Sequence, residues 1–290
     1  MGASRYYVPS GKVPAKGVLY CLLCGGATAV VGGCMYAFLQ WALPYKYFDA
    51  VFCIALGAGT GRVLAWAGYK GHVRHPYVLM LFGIFSGLLA WYVQWAGFVA
   101  LYAAQQGKAG LLPYFIQTLL HPADMFAGIL HWGQDSLERL RQSGGEDTAW
   151  LVHFLGWGLE TLGIVAFAAG VAKGKRTIPY SEKMQCWMQE QRGRQALAVP
   201  TPVRPLYDDL ERGSIRLLLA CPHSLQTPCM RLSFHGCKGD DVMYLSLTAI
   251  IAEKRRGRLK IKEQAMLDHI SITRAQAEEL RNYLETPSCV

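Results

Sequence analysis

The sequence predicts an α-helical transmembrane bundle of about four spans, joined to a small α+β cytoplasmic C-terminal domain. Three observations predict it. Four long apolar stretches lie before Ala172, Lys and Arg gather on alternate connections, and strand-forming runs concentrate after residue 213. Apolar types make up 52% of the 290 residues, and their uneven spread argues against a single soluble core.

The transmembrane domain is read as residues 1–172, with spans at about 17–40, 47–68, 77–103 and 149–172. Each approaches the ~20 residues that carry a helix across a hydrocarbon layer about 30 Å thick. A polar segment precedes the first span and no small-x-small cleavage site follows it, which sets aside a cleaved signal peptide. Tyr36, Trp41, Tyr45 and Tyr47 cluster around the first turn, as aromatic residues do at a membrane interface. Gly25, Ala29 and Gly33, and later Gly83, Gly87 and Ala90, are small residues spaced to let helix backbones approach closely.

Residues 111–142 repeat Leu, Ile, Met and Phe at helical spacing, with Pro113 and Pro122 near plausible helix starts. Interfacial helices on the outer surface are expected there, with a re-entrant segment as the alternative. A basic, Pro-rich linker follows at 173–212, with one short helix at 181–195. Residues 213–290 form the soluble α+β domain. Strands are expected at 215–220, 230–234, 242–251 and 258–263, and Thr273 caps a helix that buries Ala277, Leu280 and Leu284.

Cationic connections are retained on the cytoplasmic side. Arg5, Lys12 and Lys16 precede the first span, Lys70 and Arg74 follow the second, and Lys173, Lys175 and Arg176 follow the fourth. Both termini are therefore expected on the cytoplasmic side of the membrane. The net charge of +9 belongs to these flanks, because after Pro200 thirteen Lys/Arg face eleven Asp/Glu. Nucleic acid is not an expected partner, and Lys254 to Arg258 reads as the solvated tip of a hairpin.

Ionisable groups within spans are costly unless paired or hydrated, so they mark candidate sites. Arg62 and Glu160 are expected to form a buried ion pair, and His153 and Gln94 to extend the polar path. Gly57 to Arg62 and Gly170 to Thr177 mimic phosphate loops but lack the strand, turn and helix context or the spacing. In the tail, Cys221, His223, Cys229, His235 and Cys237 could reach one Zn²⁺ across facing strands. The usual two-residue ligand spacing is absent, and no cofactor other than this zinc is expected. The remaining cysteines read as packing groups, with no disulfide framework. No nucleophile elbow, HExxH or paired-carboxylate motif occurs.

The segments Tyr6-Tyr7-Val8-Pro9-Ser10-Gly11-Lys12 and Pro179 to Trp187, together with Glu160 in the last span, resemble a group of bacterial four-span membrane proteins. Members of that group carry a motif close to Pro-Phe-Cys-Glu-x-x-Cys-x-x-Trp after the last span. Here Ser181 and Met184 stand in place of the Cys pair, so the resemblance implies topology and no metal knuckle. The expected function is a membrane-embedded scaffold that presents its cytoplasmic domain to a protein partner or to a second copy. The alternative is a small transporter or channel component that uses Arg62 and Glu160.

Overall fold

The computed structural model describes residues 5–43, 46–107, 110–142, 149–174, 178–224, 226–255 and 258–285. Tyr45 and the side chain of Tyr47 lie outside the described residues. The chain divides into two compact units, Ser10–Arg176 and a second formed by Met1–Pro9 with Thr177–Val290.

The first unit is helical: α1 (Ala15–Ala42), α2 (Lys46–Lys70), α3 (Pro76–Gln105), α4 (Leu111–Leu120), α5 (Pro122–Gln142) and α6 (Ala149–Lys173). Four stretches are long and apolar enough to cross a membrane: Ala15–Ala42, Asp49–Lys70, Pro76–Gln105 and Leu155–Lys173. Each overlaps one of the four predicted spans.

Small residues set the packing. On α1, Gly25 lies against Leu64 and Ser86, while Gly33 lies against the backbone of Ala90 and Gln94. On α2, Gly57 and Gly61 meet the carbonyls of Ile164 and Ala168, and on α3, Gly83 meets Ala168 and Ala169. Residue numbers therefore rise together for α1 with α3 and for α2 with α6, and run oppositely between those pairs. An up-down-up-down bundle results, and its small-residue faces are used within the chain. Buried side chains fill it in layers. Cys21, Leu64, Ala67, Val73, Leu79 and Ala172 close one end. Trp95, Ala96, Phe98, Val99, Met125 and Ile129 close the other, where α5 packs on α3.

The second unit holds β1 (Tyr180–Ser181), β2 (Cys186–Trp187), β3 (Gln189–Arg192), β4 (Leu197–Ala198), α7 (Arg204–Arg212), α8 (Arg216–Ala220), β5 (Cys229–Gly236), β6 (Val242–Arg255), β7 (Arg258–Thr273) and α9 (Arg274–Glu285). The antiparallel sheet runs β3-β5-β6-β7, and β4 shares the β5 edge with β3. Leu206, Leu210, Leu218, Leu280 and Leu284 pack with Leu232, Phe234, Leu245, Leu247 and Ile270 to form its core. Each such side chain taken from water contributes about 1.5–3 kcal/mol.

The segment expected to be a linker is thus folded. Between 177 and 212 it supplies β1 to β4 and α7 to this unit, and no helix forms at 181–195. Residues 215–220 are also corrected, from strand to the short helix α8. The Asp209 carboxylate and the Ser214 hydroxyl accept from the N–H groups of Leu217 and Arg216 at 3.1 and 3.3 Å, which caps its first turn. Thr273 does cap α9. Its hydroxyl accepts from the Gln276 N–H at 3.3 Å, and Gln276 Oε1 accepts from the Thr273 N–H at 3.0 Å, a capping box.

Residues 5–7 complete the sheet. The Tyr7 N–H donates to the His269 carbonyl at 2.9 Å, and the Ser271 N–H donates to the Arg5 carbonyl at 2.8 Å. The two ends of the chain thereby share one folded unit.

Candidate functional site

Arg62 and Glu160 lie on the two helices expected to bring them together, but the helices pack in a different register. Cys53 of α2 is level with Glu160, its thiol donating to the Glu160 carbonyl at 3.3 Å, while Gly61 is level with Ala168. Arg62 is nine residues beyond Cys53, about 13 Å along the axis at 1.5 Å per residue. It also lies on the exposed stripe of α2 with Val51, Trp66 and Tyr69. The expected ion pair is not formed.

Glu160 instead borders a cavity of about 520 Å³ with Gln40, Asp49, Cys53, Trp132 and Trp157. Its Oε1 is buried and accepts no hydrogen bond, although the Tyr36 hydroxyl acts on the same carboxylate. Tyr36 donates to the Asp49 carbonyl at 3.3 Å. Gln94 is fully buried, and its Nε2 donates to Gln40 Oε1 at 2.7 Å, which joins it to the cavity wall. The aromatic side is closely packed. Trp157 stacks edge-on to Trp95 at 5.3 Å and lies 5.9 Å from Trp132.

Gln40 and Asp49 sit within one turn of the α1 and α2 ends that face each other. The cavity therefore lies toward one end of the bundle, bordered also by the exposed Ile54 of α2 and Leu159 of α6, and the Cys21, Leu64 and Leu79 layer lies at the other end. The His153 side chain lies outside the described residues. Sequence reasoning found Glu160 and Gln94 but missed Gln40, Asp49 and Tyr36. A polar residue near a helix end looks like part of the turn until register shows what it faces.

The five proposed zinc ligands do not converge. Cys237 is bonded to Cys186 in a disulfide, which corrects the expectation of none. β3 pairs with β5 at Gln189↔Gly236, so residues just before β3 and just after β5 become neighbours despite a separation of 51 residues. The same corner is tied by a Ser181 hydroxyl bond to Asp240 and by Lys183 to Asp241 at 3.1 Å. His223 stacks on Tyr283 at 4.8 Å, the Cys221 thiol donates to the Leu217 carbonyl, and Cys229 is a buried free thiol. Among the described residues, no three His, Cys, Asp or Glu side chains are grouped to hold a metal ion.

His235 instead has an imidazole partner that sequence reasoning did not single out. Its ring centroid is 4.7 Å from that of His269, and both residues are buried. β7 places Asp268 and His269 opposite Ser246 in a register irregularity between Leu267 and Ile270. His269 there takes φ of 54°, and such a bulge re-aims a side chain. Tyr7 packs edge-on against Tyr244 at 5.3 Å and His269 at 6.3 Å. Glu190 lies across the ladder from His235 and accepts from Ser233 at 3.0 Å.

Burial holds both imidazoles below the usual histidine range. His269 is lowered further by His235, to about 4, against the opposing pull of Asp268 and Glu190. The unfolded chain, with histidines near 6.5, then binds more protons between about pH 4 and 6.5. Stability is complete above that window and is lost as pH falls through it. Hydrogen exchange of the β5–β7 amides is expected to quicken several-fold from pH 7.5 to pH 5, after correction for intrinsic rates, and His269→Gln is expected to flatten that dependence.

No family model matches the chain, and neither a curated protein nor a solved structure does. Fold and site together define a class: a bundle of four helices long and apolar enough to span a membrane, with a pocket bordered by a buried carboxylate, joined to an α+β domain built from residues 5–7 and the chain after 177.

Proposed function

We propose that the protein is a membrane-anchored interaction protein of the bacterial inner membrane, whose four-span bundle holds the α+β domain for recognition of a protein partner. The observation that carries this reading is the shared domain. Residues 5–7 and the chain after 177 close one sheet around a complete core, so an even number of crossings separates the segments that build it. The positive flanks favour the cytoplasmic side for it. The resemblance to bacterial four-span proteins supports the same topology.

A second reading, a small transporter or channel component, is favoured by the orphaned Glu160 oxygen and the cavity beside it. Arg62 drops out of that reading, since it lies on the exposed stripe of α2, and the far end of the bundle is filled by the apolar layer around Cys21, Leu64 and Leu79. In the mild-detergent purified full-length protein, a stoichiometric protein partner is expected to co-purify after crosslinking in cells. Reconstituted liposomes are expected to show no ion flux above that of empty vesicles. Flux that is abolished by Glu160→Gln would replace the first reading with the second.

A further inference from the structure

The β6–β7 hairpin outruns its sheet. β5 pairs with β6 only as far as Cys229↔Ile250, yet β6 and β7 go on pairing from Ile251↔Lys262 to Arg255↔Arg258. These five extra pairs carry a two-stranded ribbon about 15 Å past its last sheet neighbour at ~3.3 Å per residue. A lone ribbon has little stability of its own in water, so its length calls for something to dock on.

The ribbon is strongly cationic. Between 251 and 262 it carries Lys254, Arg255, Arg256, Arg258, Lys260 and Lys262 against the single carboxylate of Glu253. Glu263, the next acidic residue, is held by Arg231 at 3.1 Å at the ribbon's base. Cross-strand pairing puts Glu253 with Lys260 and Ile251 with Lys262 on one face, and Ala252 with Ile261 on the other. Lysines on exposed strands guard against edge pairing, and that role explains Lys260 and Lys262. It leaves Ile261 unexplained, which is 67% exposed between them.

We propose that this ribbon binds the surface of an anionic bilayer, with its cations on lipid phosphates and Ile261 among the headgroups. A layer that is anionic outside and apolar beneath matches alternating Lys and Ile side chains. A nucleic-acid backbone offers an aliphatic side chain nothing. Attraction between exposed charges fades within a Debye length of about 8 Å at physiological salt, and a chain that carries its own spans keeps the ribbon at high effective concentration near lipid. The inference rests on the membrane reading above and goes beyond it, since that reading assigns the ribbon no role.

The test uses full-length protein in nanodiscs of zwitterionic phosphatidylcholine, alone or mixed with anionic phosphatidylglycerol. A photo-crosslinking amino acid replaces Ile261, or, as a control for embedding, Leu159 on the exposed side of α6. Adducts with lipid at 261 are expected to be about tenfold more abundant in the anionic discs. They are expected to be lost when Lys254, Arg255, Arg258, Lys260 and Lys262 are all replaced by Gln, while adducts at 159 persist in both discs. Equal adducts at 261 in the two discs, or crosslinking to added RNA or an acidic polypeptide in preference to lipid, would overturn the ribbon proposal while leaving anchoring intact. Absence of lipid adducts at 159 would overturn both.

Discussion

Gly83→Val is expected to lower the unfolding midpoint of the detergent-solubilised protein by about 10 °C, corresponding to roughly 3 kcal/mol of overpacking in a unit of this size. A Cβ at Gly83 would sit 2.7 Å from both the Ala168 carbonyl oxygen and the Ala169 Cα. Both are backbone atoms of α6, which cannot turn aside as the end of a side chain can. The two helices must therefore separate, and the Gly87 contact with Val165, one turn along, separates with them. Gly59→Ala is the internal control. A Cβ there meets nothing within 4 Å, and Ala favours helix by up to about 1 kcal/mol. Differential scanning fluorimetry on the two variants is expected to show shifts of opposite sign or a null for Gly59→Ala. A small shift for Gly83→Val would mean that α3 and α6 do not pack at this distance.

Deletion of residues 1–9 is expected to loosen the α+β domain without unfolding the bundle. The change removes the two backbone bonds to β7, the 2.9 Å bond from the Tyr6 hydroxyl to Glu211, and the Tyr7 ring on Tyr244 and His269. It also leaves the Tyr180 N–H without its 3.2 Å bond to the Tyr7 hydroxyl. Together these contribute about 2–4 kcal/mol, enough to speed exchange at the β7 amides 268–272 by roughly thirty-fold or more. Tyr7→Phe is expected to recover most of that protection, because it keeps the ring and loses one hydroxyl. Unchanged exchange in the deletion would remove the argument that both chain ends build one domain.

How much of this was legible beforehand depends on the range over which each interaction acts. The four long helices could be read from local apolar content, and the α9 cap from Thr273, because both signals lie within one element. The β6–β7 hairpin could be read from two apolar runs bracketing a charged tip. The edge strand β3 could not. Its residues Gln189 to Arg192 are all exposed and polar, and only pairing with β5 makes them a strand. The Cys186 to Cys237 bond depends on that same pairing. The Arg62 to Glu160 prediction failed because depth was counted from the loops. Helices with ends at different heights are aligned by their glycine contacts, and those set Cys53, not Arg62, beside Glu160.

The seam between residues 5–7 and β7 imposes an order on biosynthesis. Residues 5–7 are synthesised before residues 269–271 and can find their place only when those have emerged. Every nascent chain therefore passes through a stage in which Tyr6 and Tyr7 are present and their docking edge is not. A product truncated before β7 therefore never closes this seam.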